Sequence, residues 1–110
     1  MTEFRNKTAV VTGGASGIGK TICEEFRKRG ANVCVIDLRE NDYFVGDVAE
    51  EKTLRAFAEK VIGEYGGVDV LVNNAMLSRG GIRDCSYEDF LYALRVGAAA
   101  PFMLTKLFMD

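Results

Sequence analysis

Between Thr12 and Gly19 the chain reads Thr-Gly-Gly-Ala-Ser-Gly-Ile-Gly, a glycine cluster set between two segments of different periodicity. Before it, Thr8-Ala9-Val10-Val11-Thr12 is a short β-branched apolar run, the pattern of a strand buried on both faces. After it, Ile18, Ile22 and Phe26 recur one turn apart, and Gly30 supplies a left-handed stop to a helix ending near Arg29. A strand that turns this sharply into a helix aims the helix's first free N–H groups, and the positive end of its dipole, at whatever lies over the turn. Gly13 permits the tight turn, Gly17 lets backbone approach a phosphate, and Gly19 lets the helix pack against the strand. Ser16 adds a hydroxyl donor beside them, and Ile18 faces the same site. Alone, the cluster is equally a plain tight turn. The second strand, Val33 to Ile36, ends on Asp37, 18 residues beyond Gly19, where a carboxylate accepts hydrogen bonds from an adenosine ribose. Turn and acid together point to a dinucleotide.

The rest of the chain alternates in the same sense. A short third strand is predicted at Tyr43-Phe44-Val45. From Glu50 to Tyr65, Leu54, Phe57, Ala58, Val61, Ile62 and Tyr65 form one apolar helical stripe, which Gly66-Gly67 break. Val68 to Val72 reads as a fourth strand closed by Asn73-Asn74. After a polar loop at Ser78 to Gly81, Ser86 followed by Asp89 has the pattern of a helix N-terminus. The helical tract beyond it contains Gly97 and Pro101, which predicts a kink or two consecutive helices. Strand, helix, strand, strand, helix, strand, helix is the order of a parallel α/β sheet. From Asp37 to Tyr43 there is no room for a crossover helix, which takes about 10 residues or more. An extended loop must carry the chain back there, leaving one face of that edge without its helix.

Composition removes several chemistries. Fourteen Lys and Arg against sixteen Asp and Glu give a net charge of -2, which excludes a basic nucleic-acid surface or polybasic membrane anchor. No apolar run approaches the ~18 residues of a membrane span. Met1 to Arg5 lacks the apolar stretch of a signal peptide, so a cytoplasmic protein without nucleic-acid or membrane partners is expected. There is no histidine, hence no Ser-His-Asp or Cys-His arrangement and no imidazole ligand. Cys23, Cys34 and Cys85 have no C-x-x-C spacing. Cys23 and Cys34 fall in apolar patterns and read as small buried hydrophobes. Neither a metal site nor thiol catalysis is expected.

The spacing Thr12-Gly13-x-x-x-Gly17-x-Gly19 differs from the plain G-x-G-x-x-G and resembles the T-G-x-x-x-G-x-G turn of the short-chain dehydrogenase/reductase family. Three further motifs resemble that family in order. Asp47-Val48 is similar to its acid-plus-apolar pair beside the adenine. Asn73-Asn74-Ala75 is similar to its N-N-A-G motif, which adds Asn73 and Ala75 to the cofactor site. Pro101 to Lys106 is similar to its helix leading to the subunit interface. The resemblance implies a Rossmann-type doubly wound parallel sheet of strand order 3-2-1-4. Residues 1–110 would be a partial dinucleotide-binding domain, truncated after the fourth strand. It implies a nicotinamide cofactor, hydride transfer on a small-molecule alcohol/carbonyl pair, and a homo-oligomer through the last helix. A carboxylate at Asp37 suits two ribose hydroxyls and repels a 2′-phosphate, which favours NAD over NADP, whereas the nearby Arg39 works against that preference.

Departures from the family pattern carry equal weight. The family's proton transfer belongs to a Tyr-x-x-x-Lys pair. Here Tyr43, Tyr65, Tyr87 and Tyr92 are followed four positions on by Asp47, Asp69, Leu91 and Val96. Gly97 stands where the family's catalytic Asn is expected, although a glycine there also favours a kink by itself. Met76 replaces the Gly after Asn-Asn-Ala. No catalytic residue is therefore assigned, and the 110 residues alone are expected to be inactive. The alternative is a non-catalytic nucleotide-binding or interaction module derived from the same fold.

Overall fold

In the computed structural model, residues 2–77 and 81–109 are described. The polar loop read at residues 78–80 lies outside them. The strand before the glycine cluster, β1 (Thr8–Thr12), is buried at all five residues, as its unbroken apolar and β-branched run requires. It lies between two parallel partners. On one side β2 (Asn32–Asp37) pairs from Thr8 opposite Asn32 to Thr12 opposite Ile36. On the other, β4 (Val70–Asn73) pairs from Ala9 opposite Val70 to Thr12 opposite Asn73. The two-residue β3 (Phe44–Val45) pairs in parallel with the end of β2. The strand order is β3-β2-β1-β4, the expected one.

The fourth strand begins two residues later than its apolar run suggests. Asp69 closes the ladder there: its N–H donates to the Thr8 carbonyl at 2.9 Å, and its carboxylate accepts from the Thr8 N–H at 2.9 Å.

Helices cover both faces. On one, α1 (Gly17–Lys28) sets Cys23 against Val11 and Val35. Phe26 packs edge-on against Phe4 at 5.2 Å, whereas Ile18, expected on the same inward stripe, is 75% exposed at the mouth of a cavity. On the other face, α2 (Glu51–Tyr65) and the last helix bury Val10, Cys34, Ile36, Phe57, Val61 and Leu104 in one cluster. Phe57 is fully buried and meets Phe44 and Phe108 edge-to-face at 5.4 and 6.3 Å, geometry that suits the ring quadrupoles. The buried stripe of α2 stops at Val61. Ile62 and Tyr65, in its last turn, are each 42% exposed.

No helix links β2 to β3, and one side chain organises the loop instead. Asn41 Nδ2 donates to the carbonyls of Arg39 (2.9 Å) and Phe44 (3.1 Å), while its Oδ1 accepts from the N–H groups of Tyr43 (2.8 Å) and Phe44 (2.9 Å). Tyr43 then packs against both core clusters, standing where a crossover helix would cover the edge.

The C-terminal tract begins where Ser86 Oγ accepts from the Asp89 N–H at 3.0 Å, capping α3 (Tyr87–Leu94). Two consecutive helices follow, one of the two arrangements expected, joined by a π-helical turn. Arg95–Ala99 widens into a π-helical turn, with the Ala100 N–H donating to the Arg95 carbonyl, and α4 (Ala100–Phe108) continues with Pro101 in its first turn. Pro101 has no N–H to give and sits in the first turn of α4, where a missing donor costs least. The resulting 22 residues, Tyr87–Phe108, are long and apolar enough to cross a membrane by length and composition alone. This corrects the expectation of no such tract: Glu88, Asp89, Arg95 and Lys106 divide it in the sequence, and its apolar length shows only when the helix is taken whole. Within it Val96, Ala100 and Leu104 are buried against the sheet, and the other residues are half-buried or exposed.

Candidate functional site

At the carboxyl ends of β1, β2 and β4 lies a cavity of about 460 Å3. The glycine turn forms its floor. Gly13 and Gly17 have φ of +69° and +57°, the left-handed region that costs other L-residues about 1–2 kcal/mol. Gly19 serves closeness: a Cβ there would lie 2.2 Å from the Gly13 carbonyl oxygen. Over Gly17 the position is reversed, and an added Cβ would meet nothing within 4 Å. An unobstructed approach at Gly17 is compatible with the phosphate-approach reading of that residue. Ser16 takes the N-cap position of α1 in extended conformation and makes no side-chain hydrogen bond to the helix, leaving its hydroxyl for the cavity it lines.

Asp37 lines the cavity from the end of β2. Its Oδ2 accepts from the Ala15 N–H at 2.9 Å and its Oδ1 from the Arg39 N–H at 2.8 Å. The carboxylate thus braces the glycine turn as well as facing the cavity, a role its sequence position does not disclose. Arg39 lines the same wall.

Beyond β3, Asp47 and Val48 form a further wall. Asp47 Oδ1 accepts from the Ala49 N–H at 2.9 Å. Its Oδ2 accepts from the Tyr92 hydroxyl at 2.6 Å, a short charge-assisted bond between residues 45 positions apart. Val48 is buried and belongs to the core cluster below. Tyr92 and Val96, one turn apart on the last helical tract, line the cavity too. Nothing local in the sequence marks Tyr92.

The loop after β4 is fastened to the turn by Thr12 and Asn74, two motif residues to which the sequence alone assigns no site role. Thr12 Oγ1, buried, accepts from the N–H groups of Asn74 (3.0 Å) and Ala75 (2.9 Å), and Asn74 Nδ2 donates to the Gly13 carbonyl at 3.0 Å. Ala75 lines the cavity, as does Asn74. Asn73 does not: it ends β4 opposite Thr12 and is exposed. Met76, 85% exposed, stands at the rim with Ile18 and Leu38. The structure therefore gathers Gly13, Ser16, Ile18, Asp37, Asp47, Val48 and Ala75 around one space, with Gly17 and Gly19 in the turn beside it.

The thiols lie elsewhere. Burial raises the Cys23 thiol above its ordinary value and pushes Cys34 up to about 11, which favours the neutral form of both.

A parallel sheet of order 3-2-1-4 with a glycine turn at the first strand–helix junction and an acid ending the second strand is the architecture of dinucleotide-binding α/β proteins. Residues 7–110 match the family described as short chain dehydrogenase, and the chain belongs to it. Members of this family are oxidoreductases that bind a nicotinamide cofactor. An uncharacterized oxidoreductase of Thermotoga maritima is 33% identical over 94% of this chain and 47% of its own length. The structure of an apo SCOR enzyme from Clostridium thermocellum is 42% identical with a TM-score of 0.88, covering 96% of this chain and 49% of that one. A metagenomic short-chain oxidoreductase in complex with NADP is 26% identical with a TM-score of 0.88, covering 96% of this chain and 55% of that one. The chain spans about half the length of the relatives it matches.

Proposed function

We propose that these residues are the cofactor-binding part of an NAD-dependent short-chain dehydrogenase that moves hydride between nicotinamide and an alcohol/carbonyl substrate. The observation that carries the NAD assignment is the Asp37 carboxylate in the cavity wall, held in place by two backbone N–H groups. A fixed acceptor-only group suits two ribose hydroxyls and disfavours a 2′-phosphate. Two observations weigh on the other side: Arg39 shares that wall, and the metagenomic relative holds NADP.

In this reading the turn from Gly13 to Gly17 holds the pyrophosphate with the Ser16 hydroxyl and with backbone N–H groups other than those of Gly13 and Ala15, which donate to the Ile36 carbonyl and to Asp37. Asp37 takes the adenosine ribose, Asp47 and Val48 take the base, and Ile18 with Ala75 borders the nicotinamide side. When bound, the nicotinamide supplies the hydride acceptor or donor. The chain's own residues bind and orient it. No Tyr-x-x-x-Lys pair is present, so no proton-transfer role is assigned within these 110 residues, and they are expected to bind cofactor without turnover. The second reading, a non-catalytic nucleotide-binding module, draws its support from Gly97 and Met76 at two motif positions. The exposed Tyr87, Phe90 and Leu94 of α3, with Phe102 of α4, are assigned to a subunit interface, and the protein to the cytoplasm.

Calorimetric titration with both dinucleotides tests the assignment. NAD is expected to bind at least about tenfold more tightly than NADP, since a charged hydrogen-bond pair contributes about 1.5–3 kcal/mol. Asp37→Asn should shrink that ratio. Equal affinities in the unaltered protein would overturn the NAD assignment and put Arg39 in control of the site.

A further inference from the structure

The Tyr92–Asp47 hydrogen bond joins the last helical tract to the loop after β3 across the cavity wall. At 2.6 Å it is the shortest of the side-chain hydrogen bonds between elements distant in sequence among the described residues. Both partners line the cavity, together with Val48 and Val96. Asp47 is also fixed through Oδ1 by the Ala49 N–H. Each oxygen of the carboxylate thus has one donor assigned, and the rotation of the group about its Cβ–Cγ bond is settled by two bonds rather than one. An ionised carboxylate has room for further donors, about four lone-pair sites in all, and can only accept. Held rigidly in a cavity wall, such a group favours a base edge that donates and opposes one that presents a carbonyl oxygen, because an unpaired acceptor facing an acceptor loses its solvation without replacement.

We infer that Tyr92 is a positioning residue for base selection: its hydroxyl locks the Asp47 carboxylate so that the cavity prefers an amino-purine dinucleotide to its oxo-purine counterpart. The inference rests on the proposal that this cavity binds a nicotinamide dinucleotide, and it extends that proposal to the helical tract, which the glycine turn and Asp37 do not involve. Pre-set orientation is the mechanism. A carboxylate free to rotate can turn its oxygens away from a carbonyl, so discrimination falls even though the acid itself remains.

The probes are NAD and its hypoxanthine analogue, in which a carbonyl replaces the exocyclic amine, and the readout is the ratio of their dissociation constants. The unaltered protein should prefer NAD by about tenfold, an ordinary discrimination for one polar contact. Tyr92→Phe, which deletes only the hydroxyl, should lower that ratio at least fivefold while nicotinamide mononucleotide, which has no purine, binds as before. Asp47→Asn should remove the preference by itself, and adding Tyr92→Phe to it should change the ratio no further. A merely structural tyrosine would weaken all three ligands alike and leave the ratio where it was; that result overturns the inference. So does a Tyr92→Phe effect that persists undiminished in the Asp47→Asn background. If NAD binds the unaltered protein but the hypoxanthine analogue binds equally well, base selection fails while the dinucleotide site stands. If neither dinucleotide binds, the underlying proposal fails and the inference falls with it.

Discussion

Gly19→Ala is expected to destabilise the chain severely. The added Cβ would lie 2.2 Å from the Gly13 carbonyl oxygen and 2.5 Å from Asn74 Nδ2, and the first of these is backbone that cannot swing aside. Relieving the clash moves β1's turn away from α1 and breaks the Asn74–Gly13 hydrogen bond. Overpacking of about 1–3 kcal/mol, with about 1 kcal/mol more for the lost bond, is a large part of a domain's stability of about 5–15 kcal/mol. Tm should fall by about 15 °C, since each kcal/mol is worth roughly 4–8 °C in a domain of this size. Gly17→Ala is the internal control. There the new methyl meets nothing, and only the backbone strain of about 1–2 kcal/mol is incurred. Its main effect should be on cofactor affinity, because the methyl projects into the space read as the phosphate's. Thermal melts of both variants decide the point: a Gly19→Ala protein as stable as Gly17→Ala would contradict the packing account of the turn.

Thr12→Val is expected to have an effect of similar size by a different route. Valine fills the same buried volume but removes the one acceptor shared by the N–H groups of Asn74 and Ala75. A fully buried donor left unpaired costs about 1–3 kcal/mol; these two are part-buried, so the pair should cost about 2–4 kcal/mol, the lower part of the doubled range. Thr12→Ser keeps the oxygen and loses one methyl, about 1 kcal/mol. Urea unfolding of the two variants separates the contributions. If Thr12→Val is no less stable than Thr12→Ser, the loop after β4 is not held by that hydroxyl.

Much of this molecule is legible one segment at a time. The turn from Thr12 to Gly19 is constrained locally, by positive φ at Gly13 and Gly17 and by a contact only seven residues wide at Gly19, so sequence order suffices to find it. The lack of space between Asp37 and Tyr43 is likewise visible as a count of residues. What fills that space is not: any polar residue fits the loop pattern, and only the folded backbone shows Asn41 satisfying four groups at once. Long-range partners hide in the same way. Asp69 shortens β4 through Thr8, 61 residues away, and Tyr92 reaches Asp47 across 45. Helical periodicity tells which face turns inward but not how far the neighbouring element extends, which is why Ile62 and Tyr65 stay exposed and Ile18 serves the cavity instead of the core. Gly97 and Pro101 announce an interruption. The π-helical turn that joins the two helices brings Val96, Ala100 and Leu104 into the core together, and no local rule contains that turn.

The central claim is that the glycine turn, the ends of β2 and β3 and the loop after β4 form one dinucleotide site. Backbone amide NMR shifts recorded while NAD is added to the 110-residue chain test it most directly. Saturable shifts should appear together at Gly13, Ser16, Gly17, Asp37, Asp47, Val48 and Ala75, with Cys23 and the outer face of α3 unmoved. Saturation without shifts in the glycine turn, or no saturable response from a chain that shows the dispersed spectrum of a folded protein, would contradict it.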